Sequence, residues 1–282
     1  MFLGALLAAV LALLCERPQA AMRTAFKQRP RVLWALPPLL TGYFLLASWA
    51  AGQANPSLIA IVFAYTAAPV ACAYLGGSDF LTVLLLWLPL EFPAPAARLI
   101  AKHAQGYLHS VAYGIAILLG LALFAGFRAM PGMKYNLPRT WRDLRLPLAG
   151  FALTAPVLAV VGIAIGFIPY PHWSTAGAGR MASAVAIVFA GTALPEEILF
   201  RSMIQNLLMQ RFGSGTRTLL VASLIFGAAH LDNGPQPLPN WRYMILATIA
   251  GFAYGRVFQK SSTVLASALF HTLVDWTKHS FF

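Results

Sequence analysis

Charge is scarce in this sequence. Asp, Glu, Lys and Arg make up 10% of its 282 residues, where a soluble domain carries roughly 25%. With a hydrophobic content of 59%, that shortage makes lipid the solvent for most of the chain. Segments of about ten residues with alternating polarity, the mark of a membrane β-barrel, are also missing. Cysteine is limited to Cys15 and Cys72. Both lie in or beside apolar runs, without metal-ligand spacing, and read as small buried hydrophobes. No HExxH pattern occurs, and no serine or cysteine nucleophile motif. The pair Gly76–Gly77 lacks the strand-and-helix context of a phosphate loop. There is no internal repeat and no low-complexity tract.

Acid is the scarcer sign. Eight Asp and Glu stand against 20 Lys and Arg, giving a net charge of +12. In a soluble protein such an excess points towards nucleic acid. Here no basic, aromatic-interleaved surface accompanies it, and nucleic acid is not an expected partner. The basic residues gather in short loops between apolar runs, which points instead to a bilayer with an anionic inner leaflet.

Long apolar runs are what the sequence has in abundance. They lie at about 2–15, 32–51, 57–75, 79–90, 107–127, 146–169, 183–209, 217–231, 243–259 and 262–278. A membrane helix needs about 20 apolar residues, and a spanning backbone must satisfy its own hydrogen bonds. The expected fold is all-α, a polytopic transmembrane bundle of about eight to ten helices. The first run is short. It resembles a signal-peptide core but lacks the basic flank and small-residue cleavage site, so it reads as a short membrane helix. The fourth ends among Pro89, Pro93 and Pro95.

Residues 1–282 read as one membrane domain, in which 1–145 anchor and pack and the chemistry follows about residue 180. ERPQAAMRTAFKQRPR (16–31) and RAMPGMKYNLPRTWRDLR (128–145) read as strongly basic loops. With ten spans, these fall on one face with Arg211, Arg217, Arg256 and Lys260. The sparser cations Arg98, Lys102, Arg180, Arg242 and Lys278 fall on the other. The basic face is expected to be cytoplasmic and the membrane to be a bacterial inner membrane. Trp34 and Trp49 bracket the second run as an aromatic belt would.

Against this background, three polar groups stand out, because an ionisable side chain at membrane depth costs at least about 2.5–3.5 kcal/mol. The first is LPEEILFR, 194–201. On a helix, Glu197 and Arg201 are i, i+4 neighbours and can pair, while Glu196 points about 100° away. A carboxylate in a dry site makes an effective base; a structural ion pair between helices is the plain alternative. The second is FGAAHLDN, 226–233, where Phe226 and His230 share a face near a helix end. A lone histidine there is commonly a satisfied core residue. The third is FHTLVDW, 270–276, with His271 and Asp275 again at i, i+4; a local hydrogen bond is the plain alternative. Three separate structural ion sites in one apolar chain would be expensive. One convergent site explains them better. His103, His109 and His172 read as residues in or near loops, His279 as C-terminal, and Asp79, Glu91 and Asp143 as loop-edge charges.

The ordered set EEILFR, FGAAH and HTLVD resembles the EExxxR, FxxxH and Hxxx(N/D) motifs of the CPBP family. That family comprises CaaX prenyl proteases of the Ras-converting type and bacterial Abi relatives, which are intramembrane glutamic proteases. The resemblance spans about residues 180–280. It implies that Glu196 is the general base that activates water and that His230 holds or helps activate that water. It implies that Glu197 and Arg201 organise the site, that His271 and Asp275 occupy the oxyanion-stabilising positions, and that Phe226 shapes the wall. Prenyl proteases of this group carry Asn where this chain has Asp275. Ionised Asp repels an oxyanion that Asn would stabilise. Asp275 can instead orient His271, keep it cationic, or donate while protonated.

The function expected is hydrolysis of a peptide bond in a membrane-associated protein or peptide, without a cofactor. One alternative is a zinc protease with Glu196, His230 and His271 as ligands and water in the fourth position. Another is a non-catalytic transporter or scaffold that uses the polar site for protons or partner binding. On the ten-span count, loop 231–240 and His230 fall near the non-cytoplasmic face, whereas prenyl proteases are expected to open to the cytoplasm. The sequence identifies neither substrate nor oligomeric state.

Overall fold

Each of the apolar runs folds as a helix, and one further helix forms where a loop was expected. The structure is a computed structural model that describes residues 1–91, 106–172, 177–234 and 237–282. Pro93, Pro95, Arg98, Lys102 and His103 lie outside the described residues, as do parts of the loops 170–179 and 231–240. The described residues contain no strand. They form two units, Met1–Gly132 and Met133–Phe282.

The first unit contains α1 (Phe2–Ala12), α2 (Glu16–Gln28), α3 (Leu36–Ala50), α4 (Ser57–Tyr74), α5 (Asp79–Glu91) and α6 (Gly106–Phe127). Its centre is α6, largely buried, against which α1, α3 and α5 pack. Gly114 lets α1 approach closely, since a Cβ there would meet Leu6 at 3.0 Å. Arg128 closes the end of α6, donating to the carbonyls of Ala73 at 3.1 Å and Gly77 at 2.7 Å. Its Nε lies 3.6 Å from Asp79, so Asp79 is an ion-paired residue at the start of α5 rather than a solvated loop charge. His109 lies within α6, not in a loop. Trp34 and Trp49 are exposed at either end of α3 and its leading 3₁₀ turn, where interfacial aromatics belong.

The second unit contains α7 (Arg142–Ala164), α8 (Ala178–Phe212), α9 (Thr216–Ala228), α10 (Trp241–Lys260) and α11 (Val264–Phe281). Helix α7 packs on α10 and α11, α9 on α10, and α11 on α8. Among the described residues, five helices are long and apolar enough to cross a membrane: α3 with its leading turn, α4, α6, α7 and α8. A sixth is possible if α1 and α2 are one broken span. The 13-residue α5 and α9 reach only about 20 Å at 1.5 Å per residue. Helices α10 and α11 are longer, but their polar residues lower their hydropathy.

Helix α8 widens into π-turns at Phe189–Ala193 and Ile198–Gln205, with regular α-turn Leu194–Glu197 between them. Pro195 supplies a reason, because it has no N–H to give and its ring crowds the carbonyl four residues back. A local change of register relieves both. Such π-turns recur at functional sites, and these flank the two glutamates.

A loop clamp fixes the start of α11. Lys134 Nζ donates to the carbonyls of Phe258 at 2.7 Å, Gln259 at 3.1 Å and Ser261 at 2.9 Å, which satisfies the open end of α10. Burial lowers the Lys134 pKa from the ordinary lysine value, and the charge of Asp143 opposes that shift. Asp143 is 2% exposed. Its carboxylate accepts from Ser262 N at 2.7 Å, Ser262 Oγ at 2.6 Å, and the amides of Arg139 and Thr140, each at 3.0 Å. This is not the loop-edge charge expected from the sequence. Thr263 donates to the Asn136 carbonyl and caps α11 by accepting from Leu265 N. The basic loop 128–145 therefore holds the α10–α11 turn, and with it the register of every polar residue on α11.

Candidate active site

Glu197 is fully buried, and Arg201 and His271 are the charged or titratable partners of its carboxylate, beside a hydrogen bond from Ser267. Oε2 accepts from Arg201 Nε at 3.0 Å, one helical turn on. Oε1 faces His271 Nδ1 at 3.2 Å, across from α8 to α11. A carboxylate accepts, so Nδ1 is the donor. Arg201, also fully buried, places a second N–H on Gln205 at 3.4 Å, and Gln205 donates to the Gly255 carbonyl at 3.0 Å. The guanidinium lies over the Phe226 ring, 4.7 Å from its centroid. Charge, hydrogen bonds and ring face offset much of the cost of burying that cation, and Nη2 has no hydrogen-bond partner among the described residues.

With Nδ1 held by Glu197, His271 turns its other nitrogen outward. Nε2 lies 3.4 Å from Asp275 Oδ2 and 4.0 Å from Glu196 Oε2. Three carboxylates thus surround one imidazole. The Glu196 side chain is 22% exposed, whereas Glu197 is closed off. The adjacent glutamates therefore have different environments, as the helix geometry implied.

His230 is placed by the end of α9. Its Nδ1 is 2.8 Å from the Phe226 carbonyl oxygen one turn back. A carbonyl can only accept, so Nδ1 carries the hydrogen and Nε2 is the basic nitrogen of the neutral ring.

The two histidines belong to one continuous series of ring contacts. Phe167 meets Tyr243 at a centroid distance of 4.9 Å, and Tyr243 meets His230 at 4.6 Å. His230 meets Phe226 at 4.8 Å, and Phe226 meets His271 edge-on at 5.8 Å. His271 stacks on Tyr254 at 4.6 Å with planes 20° apart, and Tyr254 meets Phe270 at 4.9 Å. Phe226 is thus the wedge between the two imidazoles.

All of these rings except Phe270 line one wall of a partly open cavity of about 80 Å³. His230, His271, Asp275, Tyr243, Tyr254 and Lys278 supply its polar lining, and small residues such as Ala155, Ala159, Ala247 and Ala250 keep the rest apolar and roomy. Glu196 does not line this space and adjoins it through His271. Most of the cavity is apolar with a few convergent polar groups, the usual character of a ligand site.

The structure brings five of the sequence-expected residues into direct contact: Glu196, Glu197, Arg201, His271 and Asp275. Phe226 and His230 continue the same cluster. Three participants were not expected. Tyr243 and Tyr254 are 11 residues apart on α10, three turns at about 3.6 residues per turn, so both point at the cluster. That spacing was a readable signal. Lys278, read from the sequence as a sparse charge on one membrane face, lies on the cavity wall. Its Nζ is 4.6 Å from the Tyr243 centroid and 4.9 Å from that of Phe167. Among the described residues, no group of three or more His, Cys, Asp or Glu is arranged to hold a metal.

No curated protein and no solved structure gave a match to the chain. Residues 178–277 match the family model described as Type II CAAX prenyl endopeptidase Rce1-like. The matched segment runs from the first turn of α8 almost to the end of α11 and so contains all seven expected site residues. Over this third of the chain, the match and the ordered motifs agree: residues 178–277 are similar to the Rce1-like CAAX endopeptidases of the CPBP family.

Proposed function

We propose that the chain is an intramembrane endopeptidase that uses a glutamate-activated water and no metal. Glu196 takes the proton of a water whose oxygen attacks the peptide carbonyl carbon. His230, with Nε2 as its basic nitrogen, holds that water. His271 faces the developing oxyanion, Asp275 orients its ring at Nε2, and Glu197 with Arg201 fixes it from behind. When the C–N bond breaks, the proton taken up by Glu196 passes to the leaving amine. No covalent bond forms between enzyme and substrate. The substrate is a membrane-associated protein or peptide. The basic loops lie against the anionic cytoplasmic leaflet of a bacterial inner membrane.

The observation that carries this reading is the two-sided hold on His271. Glu197 lies 3.2 Å from Nδ1, and Asp275 and Glu196 lie at Nε2, with the ring on a cavity wall. A carboxylate–histidine pair of that kind suits proton transfer, which typically contributes a factor of about 10²–10⁴.

The test is purified protein with Glu196→Ala against wild type on a membrane-peptide library. Cleavage should disappear in the variant while the protein stays folded. Equal cleavage by both would remove Glu196 from the mechanism. Repeating the wild-type assay after exhaustive chelation, with metal analysis of the sample, separates this reading from a zinc protease: full activity in metal-free protein is the expected result.

A further inference from the structure

The helix α2 stands where the sequence suggested a loop, and its two faces differ. Gln19, Met22, Arg23 and Phe26, at helical spacing, face the end of α6. Gln19 Nε2 donates to the Leu13 carbonyl at 2.6 Å, and Arg23 Nε donates to that of Ala125 at 2.7 Å. Phe26 meets Phe127 edge-on, and Met22 lies against Gly126. The outer face and the turn after it carry Arg17, Lys27, Arg29 and Arg31, all exposed. None of these four forms an ion pair among the described residues. Only one acid, Glu16, lies in the same stretch. Arg23, spent on Gln19 and Ala125, does not belong to this outer set.

The orientation is equally specific. Helix α2 leaves the apolar α1 at 87°. If α1 enters the bilayer, α2 therefore runs along its surface. The next residues on the chain include exposed Val32 and Trp34, the apolar and aromatic groups suited to headgroup depth. An amphipathic helix with a basic outer face and adjoining apolar anchors is the pattern of an interfacial element.

We propose that α2 and the turn after it form an interfacial binding surface for anionic phospholipid headgroups, with Arg17, Lys27, Arg29 and Arg31 contacting phosphate. The four cations match the charge of such headgroups, and they outnumber the single acid of the stretch, Glu16, four to one. The inference rests on the membrane location of the chain and not on its proteolytic chemistry, so each can fail without the other.

The experiment uses full-length protein in nanodiscs of phosphatidylcholine with a minor fraction of phosphatidylglycerol. Lipids retained after extraction are counted by native mass spectrometry. Wild type should keep phosphatidylglycerol in preference to phosphatidylcholine, and the preference should weaken with added salt. A variant with Arg17→Gln, Lys27→Gln, Arg29→Gln and Arg31→Gln should lose it. One cation near an anionic surface is worth about a fivefold change in affinity. Should the fourfold variant not fold, the Lys27→Gln, Arg29→Gln pair should show an intermediate loss. A control with Arg211→Gln, Arg217→Gln, Arg256→Gln and Lys260→Gln should keep the preference. The proposal is overturned if wild type shows no preference, if the α2 variants retain it in full, or if the control loses it equally.

Discussion

Glu197 and His271 lie 74 residues apart in the chain and 3.2 Å apart in the structure. That contact joins α8 to α11 at the centre of the family-matched segment. It also makes Glu197 a shared acceptor, since its other oxygen already holds Arg201. Removing either partner leaves the rest buried without compensation.

Arg201→Ala should therefore destabilise the fold as well as end activity. Breaking a buried ion pair from one side costs about 3–5 kcal/mol. Arg201→Lys should not restore the site, because a lysine keeps the charge but not the flat fork that reaches Glu197 and Gln205 and covers Phe226. Thermal unfolding in detergent, run beside a cleavage assay, checks this. Glu196→Ala gives the contrast: its side chain is partly exposed, so activity should fall with little change in melting temperature. If Glu196→Ala and Arg201→Ala lowered the melting temperature alike, the two would share a structural role.

Asp275 offers a finer test of the His271 assembly. Its oxygen stands 3.4 Å from Nε2, close enough to orient the ring. Asn keeps an acceptor oxygen and adds an N–H donor. Asp275→Asn should keep activity within about tenfold, whereas Asp275→Ala should lose about 10²-fold, the lower range for a positioned acid–base group. The comparison is made on kcat, with KM as the control for binding. Equal losses in Asn and Ala would show that the charge of Asp275, and not its orienting contact, is what the reaction uses.

How much of this was legible in the sequence follows physical range. The Glu197–Arg201 pair was readable because an i, i+4 relation is local. The convergence of three motifs was readable because charge is so expensive in lipid. The Glu197–His271 hydrogen bond was not, since no local rule specifies which carboxylate meets an imidazole on another helix. Tyr243 and Tyr254 went unnoticed because an aromatic residue in an apolar helix reads first as packing. Helix α2 was read as a loop for its charge, and Pro18 does not favour a helix interior. Yet Pro18 is the third residue of the helix, where the missing N–H has no intrahelical partner to lose. Asp143 read as a loop-edge charge because the Ser262 that it binds is 119 residues away.

The tyrosine beneath His271 should act through its ring. Tyr254 is stacked on the imidazole at 4.6 Å and is 1% exposed. Tyr254→Phe keeps the stack and should retain near-normal kcat. Tyr254→Leu removes it and frees the ring to tilt, and kcat should fall about tenfold or more, since small misplacements at a reacting centre can cost up to about 10²-fold. KM should move less than kcat. A loss in Tyr254→Phe as large as in Tyr254→Leu would shift the role from the ring to the hydroxyl.

Asp143 tests whether the site depends on a loop far from its chemistry. The carboxylate gathers Ser262, Arg139 and Thr140 at the start of α11. Asp143→Ala leaves those donors without their acceptor, at about 1–3 kcal/mol for a donor that stays buried and unpaired. The melting temperature should drop by several degrees. Activity should fall as well, because His271 and Asp275 ride on the helix whose first turn has been released. Asp143→Asn is the informative partner. Its single acceptor oxygen can serve part of the set, and its melting temperature should lie between the other two. If Asp143→Ala melted like wild type, the clamp would not be what holds α11 in register. The alignment of the two α11 residues with Glu197 would then have to come from helix packing alone.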